Sequence, residues 1–191
     1  MKNPDDKLVK KAKMGDSGAF GKLVKRYQNK VLYLAYDLVG NYYDAQDVAQ
    51  NAFYQAFKNL PFFKEQSTFS TWLYRITTNA AIDFQRSRKR RQAASLNQPM
   101  SENKEDRELI DTLKDSAKPF DKKVEDLDLK ELIRKTTESL PPQQRAAFVL
   151  KYFHDKPTED IAEILNCDPI TVRGHILRAT LKLKKQLKAE K

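Results

Sequence analysis

Apolar residues recur at steps of three and four along most of the chain, the spacing that places them on one stripe of an α-helix. In the first half these stripes predict four helices, separated by turn or helix-ending signals at Gly15, Gly40 and Pro61. Ser17 is in position to cap the second helix, and Asp44 to start the third. The pattern therefore predicts an all-helical domain over residues 1–92.

The fourth predicted helix, residues 67–91, carries different chemistry on its different faces. Its apolar stripe includes Phe69, Trp72 and Leu73, so Trp72 is expected in the core. A mostly polar flank runs beside that stripe, and five basic residues crowd the helix end. Because so many neighbouring cations repel one another, an anionic partner such as a phosphate backbone is the leading interpretation. The flank consists of Thr71, Arg75, Thr78, Asn79, Ile82 and Arg86, and the basic end of Arg86, Arg88, Lys89, Arg90 and Arg91.

Aromatic residues outside the stripes are candidates for stacking on nucleic-acid bases. Phe62 and Phe63 lie in the loop before the fourth helix, next to Lys64, where little core is expected to cover them. Tyr74 is expected to be exposed and to offer a further stacking surface. The side-chain amide of Asn79 can hydrogen-bond an unpaired base edge, although it can equally face water.

The second half predicts a linker and a second helical domain. Residues 93–126 lose the apolar periodicity and are rich in acidic residues, which is typical of a flexible linker. Residues 127–191 regain it and end in two helices separated by a short turn, a helix-turn-helix. Thr158 is expected to cap the first of these helices, Asn166 to end it in the left-handed conformation, and Pro169 to begin the second.

The second helix of that motif has a polar, basic outer surface suited to a DNA major groove. The alternative is a helical hairpin with an ordinary solvated cationic face, and the coincidence of a capped motif with a basic helix favours DNA. Arg173 lies to one side as a candidate for phosphate contact. The surface that faces outward comprises Thr171, Gly174, His175, Arg178 and Lys182.

Composition narrows the class of partner. The 191 residues carry a formal charge of +10 with a pI near 9.5, which favours nucleic acid or an acidic membrane surface as partner. The mean hydropathy of −0.74 and the apolar-poor start predict a cytoplasmic protein without a membrane span. One cysteine, Cys167, fits a reducing compartment. We find no nucleotide-binding, metal-ligand or nucleophile motif, so neither a cofactor nor a small-molecule substrate is predicted.

Three segments together resemble conserved regions two and four of bacterial sigma factors: DAQDVAQNAFYQAFKNL, FSTWLYRITTNAAID and IAEILNCDPITVRGHILRATLKLKK. With only these two domains and a linker, the chain resembles the extracytoplasmic-function group over nearly its whole length. The resemblance implies a protein, not an enzyme, that binds core RNA polymerase and directs it to promoters. It also implies an anti-sigma factor as partner.

The resemblance assigns roles to particular positions. The loop at residues 61–69, with Asn79, would engage a flipped base of the minus-ten element, and the acidic linker would thread toward the RNA path of the polymerase. The second domain would bind the beta flap and read the minus-thirty-five element. The beta-prime clamp would be bound through Asp44, Gln46, Asp47, Gln50, Asn51 and Tyr54, and the minus-thirty-five element through Thr158, Thr171, Arg173, Gly174, His175, Arg178 and Lys182.

The chain departs from the family pattern at three places. Asn51 stands where a glutamate is usual, Lys156-Pro157 replaces a glycine-containing approach to the helix-turn-helix, and Gly174 replaces a serine on the reading face. Other interpretations stay open from the residues alone. They are a helix-turn-helix regulator that does not enter polymerase, a basic nucleic-acid enzyme, and a membrane-surface protein.

Overall fold

The computed structural model describes residues 4–94 and 133–189, and all regular structure in these two ranges is helical. No helix within them is long and apolar enough to cross a membrane. The helices are α1 (Asp6–Lys13), α2 (Ser17–Val39), α3 (Tyr42–Asn59), a 3₁₀ turn (Leu60–Phe62), α4 (Phe69–Ala94), α5 (Pro142–Tyr152), α6 (Thr158–Leu165) and α7 (Pro169–Ala189). Residues 133–137 are also helical. The predicted linker lies outside the described residues, apart from residues 93 and 94, which end α4.

Short polar side chains begin the helices of the first domain, one or two residues from where the sequence pattern put them. Asp16 caps α2 by accepting a hydrogen bond from the backbone of Ala19 at 2.9 Å, so the expected cap at Ser17 is wrong. Asn41 caps α3 in the same way, and that helix starts at Tyr42 rather than at Asp44. The predicted end of α2 at Gly40 is confirmed, with φ of 85°.

The core of the first domain lies between α2, α3 and α4. The predicted stripes are confirmed at fully buried positions such as Leu23, Val31, Leu34 and Leu73. The same spacing of apolar residues predicts Phe57 on the buried face of α3, but half of it is exposed and its ring packs against Phe20 at 5.0 Å. The three long helices thus form a scaffold from which the loop after α3 and the outer face of α4 project.

Helix α1 is fastened to this scaffold by buried groups. Val9 and Ala12 are buried against α2, and the carboxylate of Asp5, also buried, accepts hydrogen bonds from Arg26 and Tyr27. Burial, together with the hydrogen bond and the charge of Asp5, raises the pKa of Tyr27. The start of the described chain is therefore fixed in place, even though it carries few apolar residues.

The second domain consists of α5, α6 and α7 around a small core that includes Ile161, Val172 and Leu183. The left-handed end of α6 at Asn166, with φ of 52° and ψ of 53°, is confirmed, and α7 begins at Pro169 as predicted. Thr158 does not cap α6, because it is already the first helical residue and Pro157 occupies the cap position. The two helices meet in the predicted helix-turn-helix.

The two domains pack against each other. One apolar cluster contains Leu38 from α2 and Ile82 from α4 together with Ala147, Ile161 and Val172 from the second domain. Helix α6 lies on α4, and α5 lies on α2. The sequence pattern predicted two helical domains but not how they are arranged, so this shared cluster is a feature that only the tertiary structure provides.

Candidate nucleic-acid interface

The two loop phenylalanines have opposite environments. Phe62 ends the 3₁₀ turn with 78% of its surface exposed, whereas Phe63 is only 5% exposed. The ring of Phe63 stacks on Trp72 at 4.7 Å and meets Phe69 edge-on at 6.4 Å. The expectation that the loop leaves Phe63 uncovered is wrong, because α4 supplies an aromatic surface for it. Phe63 therefore anchors the loop, and Phe62 is its free aromatic group.

The polar flank of α4 is largely covered. Asn79 is exposed as predicted, but Thr78 is fully buried, Ile82 is buried and Tyr74 is only 5% exposed. Burial, with a smaller contribution from the charge of Asp37, raises the pKa of Tyr74 to about 12. The expected exposure of Tyr74 and Thr78 is wrong: Tyr74 contacts His154 and Lys156 of the second domain, and Thr78 lies one turn further along the same side of α4. Thr71, on the same flank, is buried near the helix start and hydrogen-bonded to Thr68.

Arg75 lies at the edge of this covered side. Its guanidinium donates to the side chain of Asn166 at 3.4 Å, across the boundary between the domains. It also lines an open cleft of about 450 Å³ beside the turn of the helix-turn-helix. The cleft is otherwise lined by Ala162, Glu163, Asn166, Cys167 and Asp168. Burial and the charge of Asp168 raise the pKa of the Cys167 thiol, so it stays protonated more readily than a free thiol.

The basic end of α4 is mostly solvent-exposed. Arg86 lies 3.6 Å from Asp83, but both side chains are exposed and such a pair contributes little to stability. Arg88 differs, since it is half-buried and pairs with Asp44 of α3 at 3.3 Å. That contact joins a predicted DNA-binding residue to a predicted polymerase-binding residue. The exposed cations at this helix end are Arg86, Lys89, Arg90 and Arg91.

The predicted clamp-binding face of α3 is exposed at five of its six positions. Asp44 is the exception, half-buried beside Arg88. Sequence reasoning missed two further aromatics on this face, Tyr43 and Phe57, both about half exposed. The sequence carries a signal for them, because Tyr43, Tyr54 and Phe57 are spaced by eleven and three residues and so share one helical stripe. The five exposed predicted positions are Gln46, Asp47, Gln50, Asn51 and Tyr54.

The reading face of α7 is partly as predicted. Thr171, Arg173 and Arg178 are exposed. His175 is half-buried, with its Nδ1 atom buried and without a hydrogen-bond partner among the described residues. Burial and the charge of Arg178 lower the pKa of His175, which favours the neutral ring. The expectation that His175 faces outward is therefore wrong in part.

Two other positions on α7 have close neighbours. The guanidinium of Arg178 reaches back over Gly174, where an added Cβ would lie 3.4 Å from it. Lys182 is exposed, but its Nζ donates to the backbone carbonyl of Ser139 at 2.6 Å. Lys182 therefore ties α7 to the turn before α5 as well as adding positive charge to this surface.

An exposed apolar stripe on α7 was also not identified from the sequence. Ile170, Leu177 and Leu181 are 59–77% exposed and follow one another at steps of seven and four residues. The same spacing rule that identified the core stripe identifies this second one, which lies on the opposite side of the helix. An exposed apolar stripe of this kind is a candidate surface for a partner.

Polar contacts hold the domains together beside the apolar cluster. The Nε2 atom of His154 lies 3.0 Å from a carboxylate oxygen of Asp37, and Arg145 donates to the backbone carbonyl of Asp37 at 3.2 Å. Burial lowers the pKa of Arg145 to about 10, against an opposing effect of Glu138. A Cβ at Gly40 would overlap the Glu138 carboxylate and lie 3.6 Å from the guanidinium of Arg145, so this left-handed glycine leaves room for two charged side chains of the second domain.

The described residues contain no group of three or more His, Cys, Asp or Glu side chains arranged to hold a metal ion. The arrangement instead offers an exposed aromatic group on an anchored loop, an amide, and two cationic surfaces. These are the groups that stack on bases, hydrogen-bond base edges and neutralise phosphates.

Comparison with known proteins identifies both domains. Residues 23–91 match Sigma-70 region 2, and residues 130–183 match Sigma-70 region 4. The chain is 36% identical to the ECF RNA polymerase sigma factor SigW of Bacillus subtilis, over 95% of this chain and 96% of that protein. It is 37% identical to the RNA polymerase sigma-H factor of Pseudomonas aeruginosa, over 96% and 93% of the two chains. It is 36% identical to the ECF sigma-E factor of Escherichia coli, over 92% and 90%.

Solved structures share the fold. One is CnrH in complex with the cytosolic domain of CnrY, with a TM-score of 0.68 and 23% identity over 99% of this chain and 100% of that one. Another is RpoE from Bartonella quintana in complex with the anti-sigma factor NepR, with a TM-score of 0.66 and 22% identity over 90% and 98%. Taken with the sequence matches over nearly the whole chain, the protein belongs to the extracytoplasmic-function sigma factors, which direct RNA polymerase to promoters and are not enzymes.

Proposed function

We propose a division of labour between the surfaces of this sigma factor, in which the first domain holds the polymerase and captures an unpaired base. The exposed face of α3, with Gln50 and Tyr54 at its centre, binds the beta-prime clamp. The loop after α3 captures a base of the non-template strand at the minus-ten element. The observation that carries this assignment is the contrast between Phe62, 78% exposed, and Phe63, anchored on Trp72.

Base capture follows from the chemistry of the loop. An exposed aromatic ring fixed next to an anchored residue stacks on any base at little entropic cost. Asn79, exposed on α4, supplies a donor and an acceptor for an unpaired base edge. Arg86, Lys89 and Arg90 line the exposed end of the same helix and neutralise phosphates of the strand.

Energies show why the polymerase must share the work of opening. Separating duplex DNA costs roughly 1.4 kcal/mol per stacked step on average, whereas stacking a captured base on an aromatic ring returns about 1–3 kcal/mol. One or two captured bases therefore cannot hold a bubble of many base pairs. The sigma factor traps the first unpaired bases, and the polymerase supplies the remaining melting and all of the catalysis.

The second domain reads the minus-thirty-five element as duplex. Thr171, Arg173 and Arg178 are exposed on α7, the second helix of the helix-turn-helix, which is the helix that enters a major groove in such motifs. Arginine suits the paired acceptors of guanine, and threonine contacts several bases. Lys184 and Lys185, also exposed, extend the basic surface toward the DNA backbone.

The packed arrangement of the domains is a resting form that opens during initiation. Helix α6 lies on α4, and Tyr74 contacts His154 and Lys156 of the second domain. Groups on this side of α4 can contact a DNA strand only after the second domain moves away. Binding to polymerase, which holds the two domains at separate promoter elements, supplies the free energy for that separation.

An anti-sigma factor is a further partner. Two proteins of the same fold were solved as complexes with such a factor or with the cytosolic domain of another protein. The exposed apolar stripe on α7, Ile170 to Leu181, gives such a partner an apolar surface in the absence of polymerase. The protein acts in the cytoplasm, where the polymerase and the chromosome are.

Reconstitution with purified core polymerase tests the division of labour. We expect Phe62→Ala to leave the closed complex intact and to reduce strand opening, measured by permanganate reactivity of unpaired thymines. Tyr152→Ala, which removes a half-exposed aromatic ring from α5, away from both the loop and the exposed face of α3, is the control for loss of an aromatic ring. Equal opening by the Phe62 variant and the wild type would contradict base capture by the loop.

A further inference from the structure

The last residue of α1 is tied to the base-capturing loop across fifty positions of sequence. The Nζ atom of Lys13 donates to the backbone carbonyl of Phe63 at 2.7 Å and lies 3.0 Å from a carboxylate oxygen of Glu65. The Lys13 side chain is 26% exposed, so these contacts are partly shielded from water. A charged donor shared between a carbonyl and a carboxylate forms hydrogen bonds stronger than those between neutral groups.

The loop needs such a tie where Lys13 makes it. Glu65 has φ of 56°, a left-handed conformation that a residue with a Cβ adopts only when the surroundings hold it there. Phe63 is held at its ring by Trp72 and at its carbonyl by Lys13. These two contacts fix the backbone of Phe63, and with it the adjacent backbone that carries the exposed ring of Phe62.

Helix α1, which carries Lys13, is itself held firmly in place. Asp5 fastens its start to Arg26 and Tyr27, while Val9 and Ala12 bury its inner face. Between α1 and the loop lies a cavity of about 170 Å³, lined by Asp6, Val9, Lys10, Phe63, Glu65, Ser67 and Phe69. With open space beside it, the loop depends on its few direct ties for its position. The whole of α1 lies before residue 23, where the match to Sigma-70 region 2 begins.

We propose that Lys13 is a positioning residue for promoter opening: it holds the loop in the conformation that presents Phe62 to the unpaired base. This inference rests on the proposed capture of a base by the loop. Lys13 itself does not touch the base. It acts by reducing the number of conformations that the loop must give up when the base arrives, which is preorganisation.

Variants of α1 and the loop separate this role from general effects of charge. Lys13→Met removes the donor and keeps the aliphatic chain. Lys11→Met removes the same charge from the same helix at an exposed position, and is the matched control. Lys13→Arg retains a charged donor and is expected to restore most of the function. Glu65→Gln weakens only the second of the two contacts, and a smaller effect is expected from it.

A promoter is first selected from a random library. The measurement is then the affinity of the holoenzyme for single-stranded oligonucleotides that carry the non-template strand of this promoter. An abasic site is placed at each position in turn, and the ratio of affinities for intact and abasic strands identifies the captured base. A variant that merely lowers the folded fraction weakens binding to both strands equally and leaves this ratio unchanged. A loop that no longer presents Phe62 lowers the ratio itself.

We expect Lys13→Met to lower affinity for the intact strand about tenfold, the effect of losing one charge-assisted hydrogen bond, and to reduce discrimination against the abasic strand. Lys11→Met should keep the wild-type ratio. If the wild type discriminates and Phe62→Ala does not, but Lys13→Met discriminates like Lys11→Met, the positioning role is overturned. If the wild type itself shows no position-dependent loss, base capture by the loop is wrong and the role of Lys13 falls with it.

Discussion

Two adjacent threonines of α4 are both fully buried and differ in their hydrogen bonding. Thr77 donates its hydroxyl to the backbone carbonyl of Leu73 at 2.9 Å. The Thr78 hydroxyl has no hydrogen-bond partner among the described residues. Valine has nearly the shape of threonine without the hydroxyl, so Thr77→Val and Thr78→Val make the same chemical change in two different environments. We predict opposite effects on stability.

The magnitudes follow from the two hydroxyls. A buried polar group without a partner destabilises a protein by about 1–3 kcal/mol, so Thr78→Val should raise the free energy of unfolding by about 1 kcal/mol or more. Thr77→Val removes a hydrogen bond worth about 0.5–1.5 kcal/mol. For a chain of this size, 1 kcal/mol corresponds to about 2–4 °C in Tm. The two variants should therefore lie on opposite sides of the wild type.

Thr78 also tests the opening of the packed domains. Tyr74 and Ile82, one turn before and one turn after it, belong to the apolar cluster that the two domains share. Removing an unsatisfied hydroxyl between them stabilises the packed form relative to the open one. A change of about 1 kcal/mol lowers the open population about fivefold, and promoter opening by the holoenzyme should slow by a similar factor.

Circular dichroism at rising temperature measures the first effect, and the rate of permanganate-reactive complex formation measures the second. A Thr78→Val protein as destabilised as Thr77→Val would show that the Thr78 hydroxyl finds a partner in solution, and the reasoning would fail. A more stable Thr78→Val protein that opens promoters at the wild-type rate would instead show that this side of α4 stays covered during initiation.

Three further outcomes are expected. Arg178→Ala should weaken binding to upstream duplex by about 1–3 kcal/mol, whereas Asn79→Ala should impair promoter opening more than formation of the closed complex. Footprinting of the closed and open complexes with both variants checks this. Equal effects of the two variants on the two steps would count against the division of labour. Because the pKa of Tyr74 is raised to about 12 while an unfolded tyrosine titrates near 10, the unfolded chain loses that proton first as the pH rises. The stability that this group contributes is therefore complete below pH 10 and is lost between pH 10 and 12. Urea unfolding of the wild type and of Tyr74→Phe across that pH range measures the loss. Replacing either exposed Lys89 or exposed Arg90 by Met should reduce the slope of log affinity against log salt concentration by about 0.7 for single-stranded DNA. An unchanged slope would show that the replaced side chain does not contact phosphate.

Much of the fold was readable from the residues alone. The core stripes of α2 and α4, the left-handed ends at Gly40 and Asn166 and the start of α7 at Pro169 follow from local spacing and backbone preferences. The three family-like segments also led to the right family. Of the interpretations that the residues left open, the regulator acting outside polymerase, the enzyme and the membrane-surface protein do not fit a chain that belongs to the sigma factors.

The sequence by itself determined which side of each helix is apolar, because a period of 3.6 residues places spaced residues on one stripe whatever surrounds the helix. Only the tertiary structure decided how much of the remaining surface is free. Phe63 was covered by Trp72, Tyr74 and Thr78 by the packing of the second domain, and the loop was tied to α1 through Lys13. These contacts join residues nine to about eighty positions apart. A local pattern does not encode which of two neighbouring polar or aromatic residues will meet another element. The exposure of Phe62 and the burial of Phe63, one residue apart, have that physical cause.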